Sequence, residues 1–307
     1  MDIFRPKHNR KFILVYKNNM RVLDDYIQTL MMFDEIIELS DFDSSEFQNT
    51  NDIVVFTQMW LSLDRSVEFL ANPRFIFLNV ENLTEHTRYK HVMDMIDMGV
   101  RIADYSVVNI EIINNYIKKN RPEYKYSVIH LPYQYHPNDF CILYNTEHEY
   151  DYDVGMIGAY NKVSETVDSS VQYKRNKVWE EVCKQEWKSI NIIGWKKQRD
   201  ELIKKCKIIV NIHLFNVYNI FQHIRCDRLV FSNKLILSEM STRVNDLDIR
   251  ECVMWEDYDK IIPKIQHILD NFDEIQNKLE KIPKEEIIKT RQSILQKSVD
   301  LMICPEL

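Results

Sequence analysis

CKIIVNIHLFNVYNIFQHIRCDRLVFSNKLILSE, residues 206–239, reads as strand, loop, helix and strand, and it closes on a carboxylate. Lys207–His213 is a β-branched run without the polar alternation of a half-exposed strand, so it belongs inside a parallel sheet covered on both faces. It brings His213 and Asn216 to the carboxyl edge, where open α/β sheets seat their ligands. Ile220, Phe221, Ile224 and Leu229 recur at helical spacing, which leaves Arg225 and Arg228 off the apolar stripe and able to face a loop or a ligand. A second apolar strand, Lys234–Leu237, brings Ser238 and Glu239 to the same edge. A guanidinium donates to phosphate in a planar fork, and a carboxylate at a neighbouring strand end can accept from both hydroxyls of a ribose.

Working outward, the same alternation fills the chain. Lys11–Tyr16, Ile36–Leu39, Ile53–Thr57, Phe75–Val80, Val100–Ala103 and Ser127–Leu131 read as strands of one domain, with helices at about 22–33 and 110–119. Ile53–Thr57 leaves Gln58, Met59 and Trp60 at its carboxyl end. Strands alternating with helices predict a parallel sheet of Rossmann type. No G-x-G-x-x-G opens this half, so the glycine fingerprint of a dinucleotide-binding oxidoreductase is missing. From Leu131 to Asp153 neither helical nor strand periodicity persists, and the segment reads as a connector. A second domain starts at Asp153-Val154-Gly155-Met156-Ile157-Gly158, a strand running into a turn whose peptide N–H groups can cradle an anion. Helices at 175–186 and 198–204 flank the strand Ile190–Gly194. Trp195 follows that strand directly, where an aromatic ring could stack on a base. A strand at Cys252–Trp255, a helix from Tyr258 to about Phe272 and a helix over 283–301 complete the chain.

Composition narrows the function. The chain has 307 residues, about two domains' worth, and 45% of them are hydrophobic. With 4 Gly and 8 Pro it has little material for a flexible linker, and a net charge of -7 argues against a general nucleic-acid binder. The 6 Cys show no metal-ligand spacing and read as reduced thiols. The first residues, MDIFRPKHNRKF, are too charged for a signal peptide, and no run approaches the ~18 apolar residues of a membrane span. These readings predict a cytoplasmic protein, with peripheral membrane contact as its remaining route to a membrane. Abundant Ile, Asn, Lys, Asp and Tyr suggest an AT-rich coding genome, as in a large DNA virus, which would place the protein in the host cytoplasm, or an AT-rich bacterium.

The succession Asn211, His213, Arg225, Ser238-Glu239, then Asp246, Val253-Met254-Trp255 and Tyr258, resembles the donor-binding half of GT-B glycosyltransferases. It is similar in particular to small bacterial and viral members with an "N-I-H … R … S-E" pattern. The resemblance spans roughly residues 151–270 and in the first half rests on the order of elements. It implies an α/β protein with two Rossmann-like domains facing each other across a cleft: residues 1–140 for the acceptor, 151–282 for the donor, and a C-terminal helix within 283–307 returning to the first domain. It also implies transfer of a sugar from a nucleotide-diphosphate sugar, UDP- or GDP-linked, to a glycan or glycoprotein, with no cofactor.

Carried over residue by residue, the resemblance makes Arg225 a candidate for the diphosphate and Glu239 for the ribose, with Ser238 and His213 beside them. Gly155, Gly158 and Arg175 become candidates near the diphosphate. For an inverting enzyme Glu81, His86 and Asp104 are the candidate bases on the acceptor side, at strand ends or in nearby loops; a retaining enzyme would need no such base, and the sequence does not decide between the two. Asp41-Phe42-Asp43 and Asp151-Tyr152-Asp153 match D-x-D in letters only, and GT-B proteins meet the leaving diphosphate with arginine, lysine and helix N-termini, so no metal is expected. Two departures stand out: Gln222 where many relatives have Glu, and Asn233-Lys234 where they have Gly before the last strand. They keep open a catalytically inactive protein of this architecture that binds a nucleotide or a partner.

Overall fold

The computed structural model describes residues 4–16, 23–47, 50–57, 71–137, 150–158, 174–194, 196–214 and 219–304. Gln58, Met59, Trp60, Trp195 and Asn216 lie outside these residues. The chain divides into two compact units, Met1–His136 with Ile288–Leu307, and Pro137–Ile287.

The first unit holds a six-stranded sheet: β1 (Phe12–Tyr16), β2 (Glu35–Glu38), β3 (Ile53–Thr57), β4 (Phe75–Asn79), β5 (Arg101–Asp104) and β6 (Ile129–His130). All its pairings are parallel, in the order β2-β1-β3-β4-β5-β6. β3, β4 and β5 are buried along their whole length, the state that their uninterrupted apolar runs predict. β2 is the edge strand, and it leaves Ile36 52% exposed.

Two elements differ from the reading of the sequence. The strand expected over Ser127–Leu131 shrinks to Ile129–His130. A helix, His86–Asp97, occupies ground read as loop; it is started by Glu85, whose carboxylate accepts from the amides of Thr87 and Arg88, 2.9 Å each. The C-terminal helix Glu285–Ile303 belongs to this unit from Ile288 onward. Arg101, 2% exposed, closes that helix by donating to the carbonyls of Leu301 at 2.7 Å and Met302 at 3.0 Å. Near its other end Arg291 donates to the carbonyl of Tyr133 at 2.9 Å.

At the carboxyl edge of β4 and β5 the buried Asp104 carboxylate accepts from Asn79 Nδ2 (2.6 Å), the Ser106 amide (2.8 Å) and Asn109 Nδ2 (3.1 Å). The same two side-chain amides reach the carbonyl of Glu81, and Asn109 Oδ1 accepts from the Leu83 amide. Asp104 therefore ties the turn from Asn79 to Leu83 to the start of the helix Val107–Asn120.

The second unit holds a five-stranded parallel sheet of β7 (Tyr152–Ile157), β8 (Ser189–Ile192), β9 (Cys206–Asn211), β10 (Ile236–Glu239) and β11 (Met254–Glu256). Its order is β11-β10-β9-β7-β8. Counted from the first strand of each unit, the first sheet runs 2-1-3-4-5-6 and the second 2-1-3-4-5, the doubly wound order in which the chain reverses direction between strands one and three. In the second unit that point lies between β7 and β9.

The helix after β9 is His223–Phe231. Ile220 and Phe221, placed on that helix by their spacing, precede it; they are buried, and Phe221 meets Trp255 edge to face at 5.0 Å. The helix expected over 258–272 is Ile261–Asp270, followed by a further helix, Phe272–Glu280. Gly155 lies inside β7 rather than in the turn after it. A Cβ there would meet Cys206 Sγ at 2.6 Å and Ile192 Cδ1 at 2.8 Å, so this glycine serves the core.

Burial pushes the Asp104 carboxyl from 3.8 up to about 7, against the N–H donors that favour its ionised form. The folded protein then keeps a proton that the unfolded chain releases, so this group's contribution to stability falls as pH rises through that window. A displacement of this size corresponds to roughly 4 kcal/mol at most. Urea unfolding at a series of pH values should show the stability of the wild type relative to Asp104→Asn falling between pH 3.8 and about 7; a flat difference would place the ionisation elsewhere.

Candidate functional site

Because β7, β9 and β10 are parallel neighbours, the residues just past their carboxyl ends share one edge: Gly158, Ile212-His213 and Glu239. Arg175, second residue of the helix Lys174–Cys183, is 4% exposed and reaches across that edge. Its Nε and Nη2 donate to the Ile212 carbonyl at 3.2 and 3.1 Å. Gly158, at φ 126°, lies directly against the guanidinium: a Cβ there would stand 2.5 Å from Nη1 and 2.9 Å from Cζ. The turn thus needs glycine both for its backbone angle and for the room that Arg175 fills.

Arg225 approaches the same point from the helix His223–Phe231, with Nη1 3.1 Å from Asn211 Oδ1. Asn211 is in turn held through Nδ2 to Ser238 Oγ at 3.0 Å, and Ser238 Oγ donates to the Glu239 carbonyl at 3.1 Å. Ser238 is fully buried, so its hydroxyl positions Asn211 and does not face solvent. Burial pushes the Arg175 guanidinium down to about 9, and the charge of Arg225 acts in the same direction. Among the described residues no carboxylate forms an ion pair with Arg175. Two cations thus meet at the point of the sheet where the strand order reverses.

Glu239, 4% exposed, accepts on Oε1 from Lys174 Nζ and on Oε2 from the His213 amide at 3.1 Å, with His213 Nδ1 3.3 Å from Oε2. Burial raises its carboxyl, but the hydrogen bonds and charges of His213 and Lys174 prevail and hold it below the usual carboxylate range. His213 Nε2 sits 3.1 Å from Ser241 Oγ. The Lys174 ammonium also lies 4.8 Å over the Tyr258 ring, and the Tyr258 hydroxyl donates to the Lys174 carbonyl at 3.2 Å. Lys174 escaped the sequence reading because the helix was expected to start one residue later, at Arg175, and its partner Glu239 lies 65 residues away in the chain.

Arg228, also left off the apolar stripe in sequence, is not at this edge. It makes a two-pronged ion pair with Asp200, at 3.0 and 3.2 Å. Asn233 adopts a left-handed φ of 53°, a conformation that asparagine tolerates and glycine favours. Lys234, half-buried, donates to the Cys206 carbonyl at the start of β9, on the far side from the strand ends, and desolvation pushes its ammonium down to about 8. Asp246, another member of the pattern, is an exposed partner of Arg243 at 2.5 Å.

In the first unit a cavity of about 100 Å³ opens beside the end of β4, lined by Glu81, Thr87, Arg88 and His91 over Phe77 and Val92. Burial raises the Glu81 carboxyl while Arg88, 3.8 Å away, opposes that rise. Burial also lowers His91. His86 is exposed on the first turn of its helix, and Asp104 is engaged in the lock described above. Of the three acceptor-side candidates, only Glu81 lines this cavity. Arg88 and His91 were missed with the helix that carries them. Among the described residues no group of three or more His, Cys, Asp or Glu is arranged to hold a metal ion.

No family model matches the chain. Similar proteins come from Acanthamoeba polyphaga mimivirus. "Uncharacterized protein L140" is 26% identical over 291 residues, covering 93% of this chain and 86% of that protein. "Uncharacterized protein R358" is 27% identical over 284 residues, covering 90% of each. "Uncharacterized protein L137" is 28% identical over 281 residues, and there the match spans only 35% of the longer relative. Among solved structures, an alpha1,3-fucosyltransferase with GDP superposes with a TM-score of 0.46 at 9% identity, covering 98% of this chain and 93% of that one. The spinosyn forosaminyltransferase SpnP superposes with a TM-score of 0.36, also at 9% identity, covering 98% and 97%.

Proposed function

We propose that the protein is a glycosyltransferase: its second unit binds a nucleoside diphosphate sugar, UDP- or GDP-linked, and the sugar passes to a hydroxyl of a glycan or glycoprotein. The observation that carries this reading is the pair Arg175 and Arg225 at the reversal point of the second sheet. Arg175 is buried against a carbonyl and Gly158. Arg175, so buried with no carboxylate beside it among the described residues, is complemented by an anion that arrives from outside, and the planar guanidinium fork suits phosphate oxygens. Glu239, ionised one strand away, is an acceptor for the hydroxyls of a ribose.

In the reaction a bond forms between the acceptor oxygen and the anomeric carbon, and the bond from that carbon to the phosphate oxygen breaks. Negative charge develops on the departing diphosphate, where Arg175 and Arg225 stabilise it more strongly than they stabilise the bound donor. The proton of the acceptor hydroxyl goes to a base, which we assign to Glu81. Its raised pKa makes it a better base than an ordinary carboxylate, and it lines a cavity that can hold a hydroxyl-bearing group.

Thermal shift with UDP-, GDP-, ADP- and TDP-sugars tests the donor site. A ligand at about a hundred times its Kd should stabilise the wild type by about 2.7 kcal/mol. Arg225→Ala should lose roughly 10- to 100-fold in affinity, the worth of a charge-assisted hydrogen bond. If none of the four stabilises a folded sample, the reading fails; stabilisation without release of sugar from the donor favours the non-catalytic alternative. Glu81→Gln should keep donor affinity and lower transfer about 10²- to 10⁴-fold, measured as nucleoside diphosphate released in the presence of acceptor. Unchanged transfer would remove Glu81 from the reaction.

A further inference from the structure

The two oxygens of Glu239 are held in unlike ways. Oε2 is clamped by the neighbouring strand end, through the His213 amide at 3.1 Å and Nδ1 at 3.3 Å, and His213 is itself fixed against Ser241. These partners sit on short side chains or on the backbone and are almost wholly buried. Oε1 is held by Lys174, whose ammonium hangs on a flexible four-carbon stem and whose side chain is 19% exposed. The Tyr258 ring lies under that ammonium, so the place opposite Oε1 is built to receive a cation and is reached from solvent. Lys174 also directly precedes Arg175, the buried arginine of the anion site.

A ribose can hydrogen-bond Glu239 through both hydroxyls only if Oε1 is vacated. Resting on the donor-site reading above, we propose that Lys174 is a displaceable counter-ion: it neutralises Glu239 in the ligand-free protein, yields Oε1 to the ribose hydroxyls of an incoming nucleotide, and turns its ammonium to the diphosphate held by Arg175 and Arg225. Lys174 thereby couples the two ends of the ligand. A nucleoside without phosphate must break the Lys174–Glu239 pair and offers the ammonium nothing in return. A nucleoside diphosphate supplies a new partner within reach of the same stem. The device rejects nucleosides and selects for the diphosphate.

The test compares calorimetric affinities of UDP with uridine, and GDP with guanosine, on the wild type, Lys174→Met and Lys174→Arg, each checked for a native melting transition. Methionine keeps the stem and its contact with Tyr258 while removing the charge. Lys174→Met should bind the nucleoside more tightly, by several-fold, and the diphosphate more weakly, by roughly 10- to 100-fold. The ratio of the two affinities should therefore collapse. Lys174→Arg, which keeps the charge, should retain most of the wild-type ratio, and it carries the test if the methionine variant does not fold. Equal weakening of both ligands in Lys174→Met would make Lys174 an ordinary contact, and unchanged affinities would make its ion pair with Glu239 purely structural; either overturns the displacement. Binding of neither diphosphate to the wild type overturns the donor-site reading together with this inference. Binding to the wild type with an unchanged ratio in Lys174→Met overturns this inference alone.

Discussion

A guanidinium buried against a carbonyl oxygen, instead of a carboxylate, is the interaction on which the second unit depends. Arg175 has given up most of its water, and its partners among the described residues are the Ile212 carbonyl and, as a repelling neighbour, Arg225. Such an arrangement costs free energy in the ligand-free protein, since burial without a counter-charge disfavours the ionised form. It persists because the surroundings fix it. Gly158 leaves the space, β9 ends at the right point to present its carbonyl, and Asn211 holds Arg225 through a chain that starts at Ser238. A buried cation without a counter-charge leaves free energy to be gained from an arriving anion.

Glu239 shows the complementary solution. It is as buried as Arg175, yet it stays ionised because three donors from His213 and Lys174 outweigh the desolvation. The sheet edge therefore carries an under-neutralised positive end and a neutralised negative end a strand apart. Their separation follows from the parallel order, which sets β7, β9 and β10 side by side with every carboxyl terminus on one edge.

Much of this framework could be read from the sequence, for one reason. In a doubly covered parallel sheet the strands are uninterrupted apolar runs, so β3, β4, β9 and β10 stand out, and their order of appearance fixes which ends adjoin. What escaped lacks a local signature. Gly155 and Gly158 look alike in sequence, yet one makes room for Cys206 and Ile192 and the other for Arg175. Ile220 and Phe221 match helical spacing by coincidence, because they pack as a loop against Trp255. Arg228 and Arg225 are three residues apart on one helix, but Arg228 is taken up by Asp200, 28 residues earlier in the chain. The helix His86–Asp97 has a polar first turn started by a capping Glu85, and apolar periodicity shows only in its second half. Apart from that helix, whose signal is a local cap, each miss concerns a partner distant in sequence, which periodicity does not encode.

The two units share a strand order but spend their polar residues differently. At the carboxyl edge of the first sheet, Asp104, Asn79, Ser106 and Asn109 satisfy one another, and the acid among them is driven toward its neutral form. That network fixes a backbone turn and leaves Glu81, on the turn itself, facing a small cavity with a raised pKa. At the matching edge of the second sheet the polar groups stop short of satisfying one another: Arg175 has no carboxylate among the described residues, and Lys174 reaches Glu239 only through a long, half-buried stem. A closed network favours rigidity and a tuned proton affinity, which suits a group that moves a proton. An open one leaves free energy to be gained on binding, which suits the seat of a charged ligand. The same topology thus carries two kinds of edge, and the number of internal partners available to each buried charge separates them.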